Sequence, residues 1–152
     1  MENKDTNQPS GLVHEVQMVV IARKIKVLGI AIMIGIFAIY LLGVFVSTSN
    51  INKDLAALNL ASLLFCSVMC ISSVYVRKAL LKKVTMQNFQ TKYFTAHIVA
   101  FAMCDAGGLF CITTNLFVNQ NVIYASFGTL ITLLYLYINF PKQEDAQNVF
   151  LN

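Results

Sequence analysis

Four long apolar runs dominate this chain and leave it few ways to fold. Val27–Ser47 has 21 residues and no charge, Leu55–Val76 has 22 and none, Tyr93–Val118 has 26 and contains His97 and Asp105, and Val122–Phe140 has 19 and none. About 20 apolar residues in a helix cross the hydrocarbon core of a bilayer. Lipid offers no partner to an exposed peptide group, so a spanning segment must satisfy its backbone internally, as a helix does. The runs are too long and too evenly apolar for barrel strands. The expectation is an all-α membrane protein, a four-transmembrane-helix bundle of two antiparallel hairpins. Composition agrees. Only 12% of the 152 residues are charged, against about 25% in a soluble domain.

The basic residues set an orientation. Lys4, Arg23, Lys24 and Lys26 precede the first run, Arg77, Lys78, Lys82, Lys83 and Lys92 separate the second from the third, and Lys142 follows the fourth. These ten fall on one side, and only Lys53 falls on the other. Lys and Arg accumulate on the cytoplasmic side, so both termini are expected there. The division is 1–26 as a polar and amphipathic N-terminal segment, 27–140 as the membrane domain and 141–152 as a short tail. The polar start MENKDTNQPS and a first run too long for a signal h-region predict that helix 1 is retained. With a net charge of +4, the basic residues flank apolar runs and do not form a stripe among aromatics. They point to anionic headgroups and away from nucleic acid.

Two short connections support hairpins, Ser47–Asp54 and the tighter Asn119–Asn121. Pro141 closes helix 4 by withholding a donor. Leu12–Ala22 reads as a helix on the inner leaflet or as an extension of helix 1. Arg77–Lys92 reads as a basic amphipathic stretch, with Arg77, Lys78, Lys82 and Lys83 against headgroups, or as a helix extension with solvated lysines. Tyr40, Tyr75, Tyr93, Tyr124 and Tyr137 lie mostly near span ends, as interfacial anchors do.

Asp105 is the most informative residue. It lies near the middle of helix 3, where an acid costs about 2.5–3.5 kcal/mol on the insertion scale. It is expected to face other helices or water. Two readings follow: a proton- or cation-binding carboxylate or partner contact, and a neutral carboxyl that fixes helix packing. His97 lies about 80° around the helix and about 12 Å along it. The two do not touch, although they could line one polar path. The only other histidine is His14, so a haem held by two histidines between the helices is not expected, and no cofactor or metal is assigned.

Helix 3 carries a stripe of Cys104, Gly108, Cys111 and Asn115, with Gly107 at its edge. Helix 2 carries Asn59, Ser62, Cys66, Met69, Cys70 and Ser73. Small residues let helices approach closely in lipid, and polar ones add interhelical hydrogen bonds. Helices 2 and 3 are therefore expected to pack through these stripes, with Asn59 or Ser62 near Asn115 at the outer end. The four cysteines form no CxxC motif, and thiolates are unfavourable in an apolar core. They read as small hydrophobes at an interface. No catalytic motif is present: there is no GxSxG, HExxH, P-loop or dinucleotide fingerprint.

The stretch Ala102-Met103-Cys104-Asp105-Ala106-Gly107-Gly108-Leu109, the short polar turn after helix 3, the very apolar helix 4 and the closing Pro141-Lys142 resemble a group of small uncharacterised bacterial four-helix membrane proteins. That group usually has Glu where this chain has Asp105. The resemblance covers most of residues 20–145 and implies the architecture and a bacterial inner membrane; it carries no activity. A eukaryotic organelle membrane stays open. An acid among small residues is also similar to the proteolipid rotor subunits of ATP synthases, but helix 1 lacks their glycine ladder and only one helix has an acid. The functional expectation is a non-enzymatic accessory or assembly subunit, acting as a homo-oligomer or with a membrane-protein partner. The alternative is an oligomeric transporter or ion-conducting protein with Asp105 as the coupling carboxylate.

Overall fold

The computed structural model describes residues 9–47 and 56–142. Lys53 and most of the Ser47–Asp54 connection, the tail beyond Lys142 and the first eight residues lie outside them. The described chain is helical: α1 (Pro9–Val46), α2 (Ala56–Leu81), a single 3-10 turn (Met86–Asn88), α3 (Phe89–Ile112), a π-helical turn (Thr113–Val118) and α4 (Val122–Ile138). Three of these carry stretches long and apolar enough to cross a membrane, Val16–Val46, Ala57–Leu81 and Phe89–Val118, with mean hydropathies of 2.7, 1.9 and 1.6. The fourth, α4, is apolar but shorter, at 17 residues, or about 25 Å against a core of about 30 Å.

Local chemistry sets the helix ends. Pro9 opens α1, where a missing N–H costs nothing because the first turn has no acceptor for it. The helix then runs unbroken to Val46, so Leu12–Ala22 continues α1. The α2–α3 link closes on Thr85, whose N–H donates to Asn88 Oδ1 at 2.9 Å. Asn121 caps α4 by accepting from the Tyr124 N–H. Gln120 has φ of 53°, a left-handed conformation that lets the chain reverse between Asn119 and Asn121.

The end of helix 3 departs from a regular α-helix. Over Thr113–Val118 it widens to π geometry, and the Asn119 N–H reaches back to Thr114 O at 3.1 Å. Asn115 Nδ2 donates to Cys111 O at 2.8 Å. The Cys111 carbonyl, the acceptor that an α-helix offers to the Asn115 N–H, thus also receives this side-chain bond.

α3 and α4 form the centre. Each packs against the other and against both α1 and α2, whereas among the described residues no comparable interface joins α1 to α2. The cross-section is a diamond with α3 and α4 on the short diagonal. The most extensive contact is α2 on α3. There Ser62 meets Asn115 and Ser73 meets Cys104, so positions descend along α3 as they rise along α2. α1 turns Ile25, Gly29, Ile36 and Gly43 inward at near-heptad spacing. A Cβ on Gly29 would meet the rings of Phe101 and Phe140, and one on Gly43 would meet Leu116. Tyr40 and Ser126 join α1 to α4 through a hydroxyl pair at 2.7 Å.

Two expectations are corrected. Tyr93 is not an interfacial anchor: it is 1% exposed, with its ring 4.9 Å from those of both Phe89 and His97. Arg77 does not face headgroups. It is buried against α4, while Lys78, Lys82 and Lys83 are exposed.

Candidate functional site: three polar layers and a solitary carboxyl

The buried polar side chains of α2, α3 and α4 stack in three layers. The outer layer joins Asn59 to Asn119 through their side-chain amides. Asn115 Nδ2 donates to Ser62 Oγ at 2.8 Å, and Ser62 Oγ donates to Asn59 O at 2.9 Å. The π turn places Asn115 and Asn119 on the same inward side, and both are 0% exposed.

The middle layer is the tightest. Thr132 Oγ1 donates to Gly128 O at 2.8 Å, so its oxygen is left to accept from the Cys66 thiol at 3.3 Å. Gly107 lies against the Cys66 backbone, and a Cβ there would sit 3.3 Å from Cys66 Cα. Gly108 lies against Thr132 and Gly128 against Cys111. These contacts need glycine because helix axes this close leave no room for a methyl group. The thiols of Cys111, Cys66, Cys70 and Cys104 are neighbours in a chain along the α2–α3 seam. Among the described residues, no group of three or more His, Cys, Asp or Glu is placed to hold a metal ion.

The inner layer closes the end of α4. Asn139 and Pro141 lie inside the protein, and the last carbonyls of α4, which have no partner within the helix, need donors there. Neighbouring side chains supply the donors. Arg77 Nη1 donates to Ile138 O and Phe140 O, each at 3.2 Å. His97 Nδ1 lies 2.8 Å from Asn139 O, and a carbonyl can only accept, so Nδ1 carries the proton. Asn139 Nδ2 donates to Ser73 Oγ at 2.7 Å, and Ser73 Oγ donates to Cys70 O at 2.6 Å. The guanidinium also complements the negative end of the α4 dipole.

The structure thus gathers Asn59, Ser62, Cys66, Cys70, Cys104, Gly107, Gly108 and Asn115 on the α2–α3–α4 seam. It does not gather Asp105, His97 and Asn115 into one site. His97 belongs to the inner layer and Asn115 to the outer one. Asp105 stands apart, half-buried on another face of α3 between buried Cys104 and exposed Ala106. Its carboxyl has no hydrogen-bond or ion-pair partner among the described residues.

Sequence reasoning set Arg77 against headgroups, read the small and polar residues of helix 4 only as packing signals, and missed Asn139 and the meeting of Arg77 with the end of α4. A partial signal exists: an Arg near the end of one apolar run and an Asn-Phe-Pro closing another can meet when helices 2 and 4 are neighbours. Thr129 and Thr132 also recur at the helical spacing of Ala125 and Gly128.

No protein-family model matches the chain, and neither a curated protein nor a solved structure is detectably similar to it.

Proposed function

We propose that this chain is a small non-enzymatic integral membrane protein that serves as an accessory or assembly subunit, engaging a partner within the bilayer through the outward side of α3. In this reading four helices cross the inner membrane as two antiparallel hairpins, with both termini cytoplasmic. Lys78, Lys82 and Lys83 meet anionic headgroups, and the polar layers hold α2, α3 and α4 as one unit. Support for the topology comes from the opposed order of contacts between α2 and α3, from the agreeing order between α1 and α3, and from the clustering of basic residues at one end.

A single observation carries the functional part. Asp105 lies near the middle of the apolar stretch Phe89–Val118 with no partner among the described residues, in a chain whose buried asparagines and serines are bonded to one another. A carboxyl in that position costs about 2.5–3.5 kcal/mol on the insertion scale, and contact with another polar group recovers part of this. A photo-crosslinking residue at Ala102 or Ala106, activated in intact membranes, should give protein adducts. Lipid adducts alone, together with unchanged sedimentation of Asp105→Leu in mild detergent, would overturn the proposal. The ion-conducting alternative is separated by reconstitution: a cation or proton flux lost in Asp105→Asn would favour it.

A further inference from the structure

The buried thiols stand in contact in the order Cys111, Cys66, Cys70, Cys104 along the α2–α3 seam, and the two ends of that row are built differently. Packing between helices asks only for small side chains, and a thiol sulfur is a weak acceptor. Yet two polar side chains converge on Cys104 Sγ, Ser73 Oγ at 3.2 Å and Asn139 Nδ2 at 3.6 Å. One amide hydrogen of Asn139 goes to Ser73 Oγ, which leaves the other for the sulfur. At the outer end Asn115 Nδ2 lies 3.3 Å from Cys111 Sγ, but its two hydrogens serve the shorter bonds to Ser62 Oγ and Cys111 O. Arg77, the one buried Lys or Arg among the described residues, stands one turn beyond Ser73 on α2. Its guanidinium holds the carbonyls on either side of Asn139. Donors and a positive charge are therefore gathered at the Cys70–Cys104 end of the row.

We infer that Cys70 and Cys104 bind one soft monovalent cation, Cu(I), between two thiolates that bridge α2 to α3. This site is separate from Asp105 and stands whether or not α3 engages a partner. Thiolates select soft metals. Among the described residues no three His, Cys, Asp or Glu are placed to share an ion, so the four ligands of a structural Zn(II) site do not converge there. Cu(I) is satisfied by two thiolates in line. Binding releases both thiol protons and leaves the pair of thiolates and the ion with one negative charge. A bare thiolate is unfavourable in an apolar core, but coordination deprotonates a thiol outright. The positive charge of Arg77 balances the negative charge that remains, as burial of a charge requires. Asn139 Nδ2 and Ser73 then donate to the Cys104 sulfur, Ser73 by turning its hydroxyl away from Cys70 O.

The test is titration of the full chain in detergent micelles with Cu(I), under ascorbate and without oxygen, against a chromogenic Cu(I) chelator. One ion per chain should bind and two protons should leave with it. Ag(I), which also takes two thiolates in line, should compete, and Zn(II) should not. Copper X-ray absorption of the loaded parent should show two sulfur neighbours. Cys70→Ser and Cys104→Ser should each abolish binding, whereas the double variant Cys66→Ser/Cys111→Ser should stay within about threefold of the parent. Ser73→Ala should weaken binding by about ten- to a hundredfold, as loss of a group that supports a ligand does. Circular dichroism checks that each variant keeps the parent's helicity. No binding by the parent, or copper coordination by anything other than two sulfurs, would overturn the inference without recourse to a variant. Binding retained by a folded Cys70→Ser or Cys104→Ser chain, or lost equally by a folded Cys66→Ser/Cys111→Ser chain, would also overturn it.

Discussion

The Nδ1 atom of His97 on α3 stands 2.8 Å from the carbonyl oxygen of Asn139, the residue that ends α4. That bond and the two from Arg77 account for three successive carbonyls, 138 to 140, at the end of α4. The histidine that sequence spacing allows on a polar path is therefore engaged in closing a helix. His97→Leu keeps an apolar body between Tyr93 and Phe101 but leaves the Asn139 carbonyl without this donor. It should cost about 1–3 kcal/mol, the penalty of an unmade buried hydrogen bond. Unfolding in mixed micelles measures it, and a loss below about 0.3 kcal/mol would show that His97 does not close α4.

Arg77 and Lys78 are adjacent and equally basic, yet the structure assigns them different work. Arg77→Met removes both bonds to the α4 carbonyls and should destabilise the protein by about 2 kcal/mol or more. Lys78→Met, at an exposed position, should stay within about 0.5 kcal/mol. The same unfolding assay checks both, and equal effects would show that the Arg77 contacts do not hold α4.

The burial of Arg77 marks how far the sequence can be read. Counting basic residues assigns a side of the membrane, but it says nothing of depth or of which neighbour a side chain meets. The helices themselves are legible because runs of 19 to 26 apolar residues have no other use in lipid. The small and polar spacing on α2 and α3 is legible for a related reason, since asparagine, serine and glycine on one face have no advantage against acyl chains. What is not legible depends on a third helix. That Thr132 fits Gly108, or that Asn139 reaches Ser73, follows from the position of α4. The π turn is hidden too, because Asn115 can back-bond to Cys111 or point elsewhere, and only its contact with Ser62 decides. Asp105 is conspicuous in the sequence, and helix spacing already separates it from His97; that its carboxyl finds no partner among the described residues comes from packing.

Gly108 and Gly35 should respond in opposite ways to the same substitution. A Cβ on Gly108 would lie 2.6 Å from both Thr132 Cγ2 and Oγ1 and 3.1 Å from Thr132 Cβ. Rotating the threonine cannot move its Cβ, so α3 and α4 must separate. Gly108→Ala should cost about 1–3 kcal/mol as overpacking. Gly35 has nothing within 4 Å of an added Cβ. Gly35→Ala should therefore be neutral or stabilising by up to about 1 kcal/mol, from helix propensity alone. Thermal unfolding in detergent ranks the two, and a Gly108→Ala protein as stable as the parent would show that α3 and α4 are more loosely spaced than these distances imply.

The bond from Asn115 to Ser62 can be separated from the other bonds of each residue by a double-mutant cycle. Asn115 Nδ2 also donates to Cys111 O, and Ser62 Oγ to Asn59 O, so either single substitution alone overstates the pair. With both changed to alanine, the non-additive part isolates the cross-helix bond. Interhelical hydrogen bonds in membrane proteins average about 0.6 kcal/mol and reach about 1.7, and this one, fully buried at 2.8 Å, should fall in the upper half of that range. Ser67 provides the control, because its hydroxyl donates to Leu63 O within its own helix. Ser67→Ala combined with Asn115→Ala should add to within about 0.3 kcal/mol. A Ser62–Asn115 cycle that is equally additive would mean that the outer layer does not tie α2 to α3, and the packing of Gly107 and Gly108 would then have to hold the seam alone.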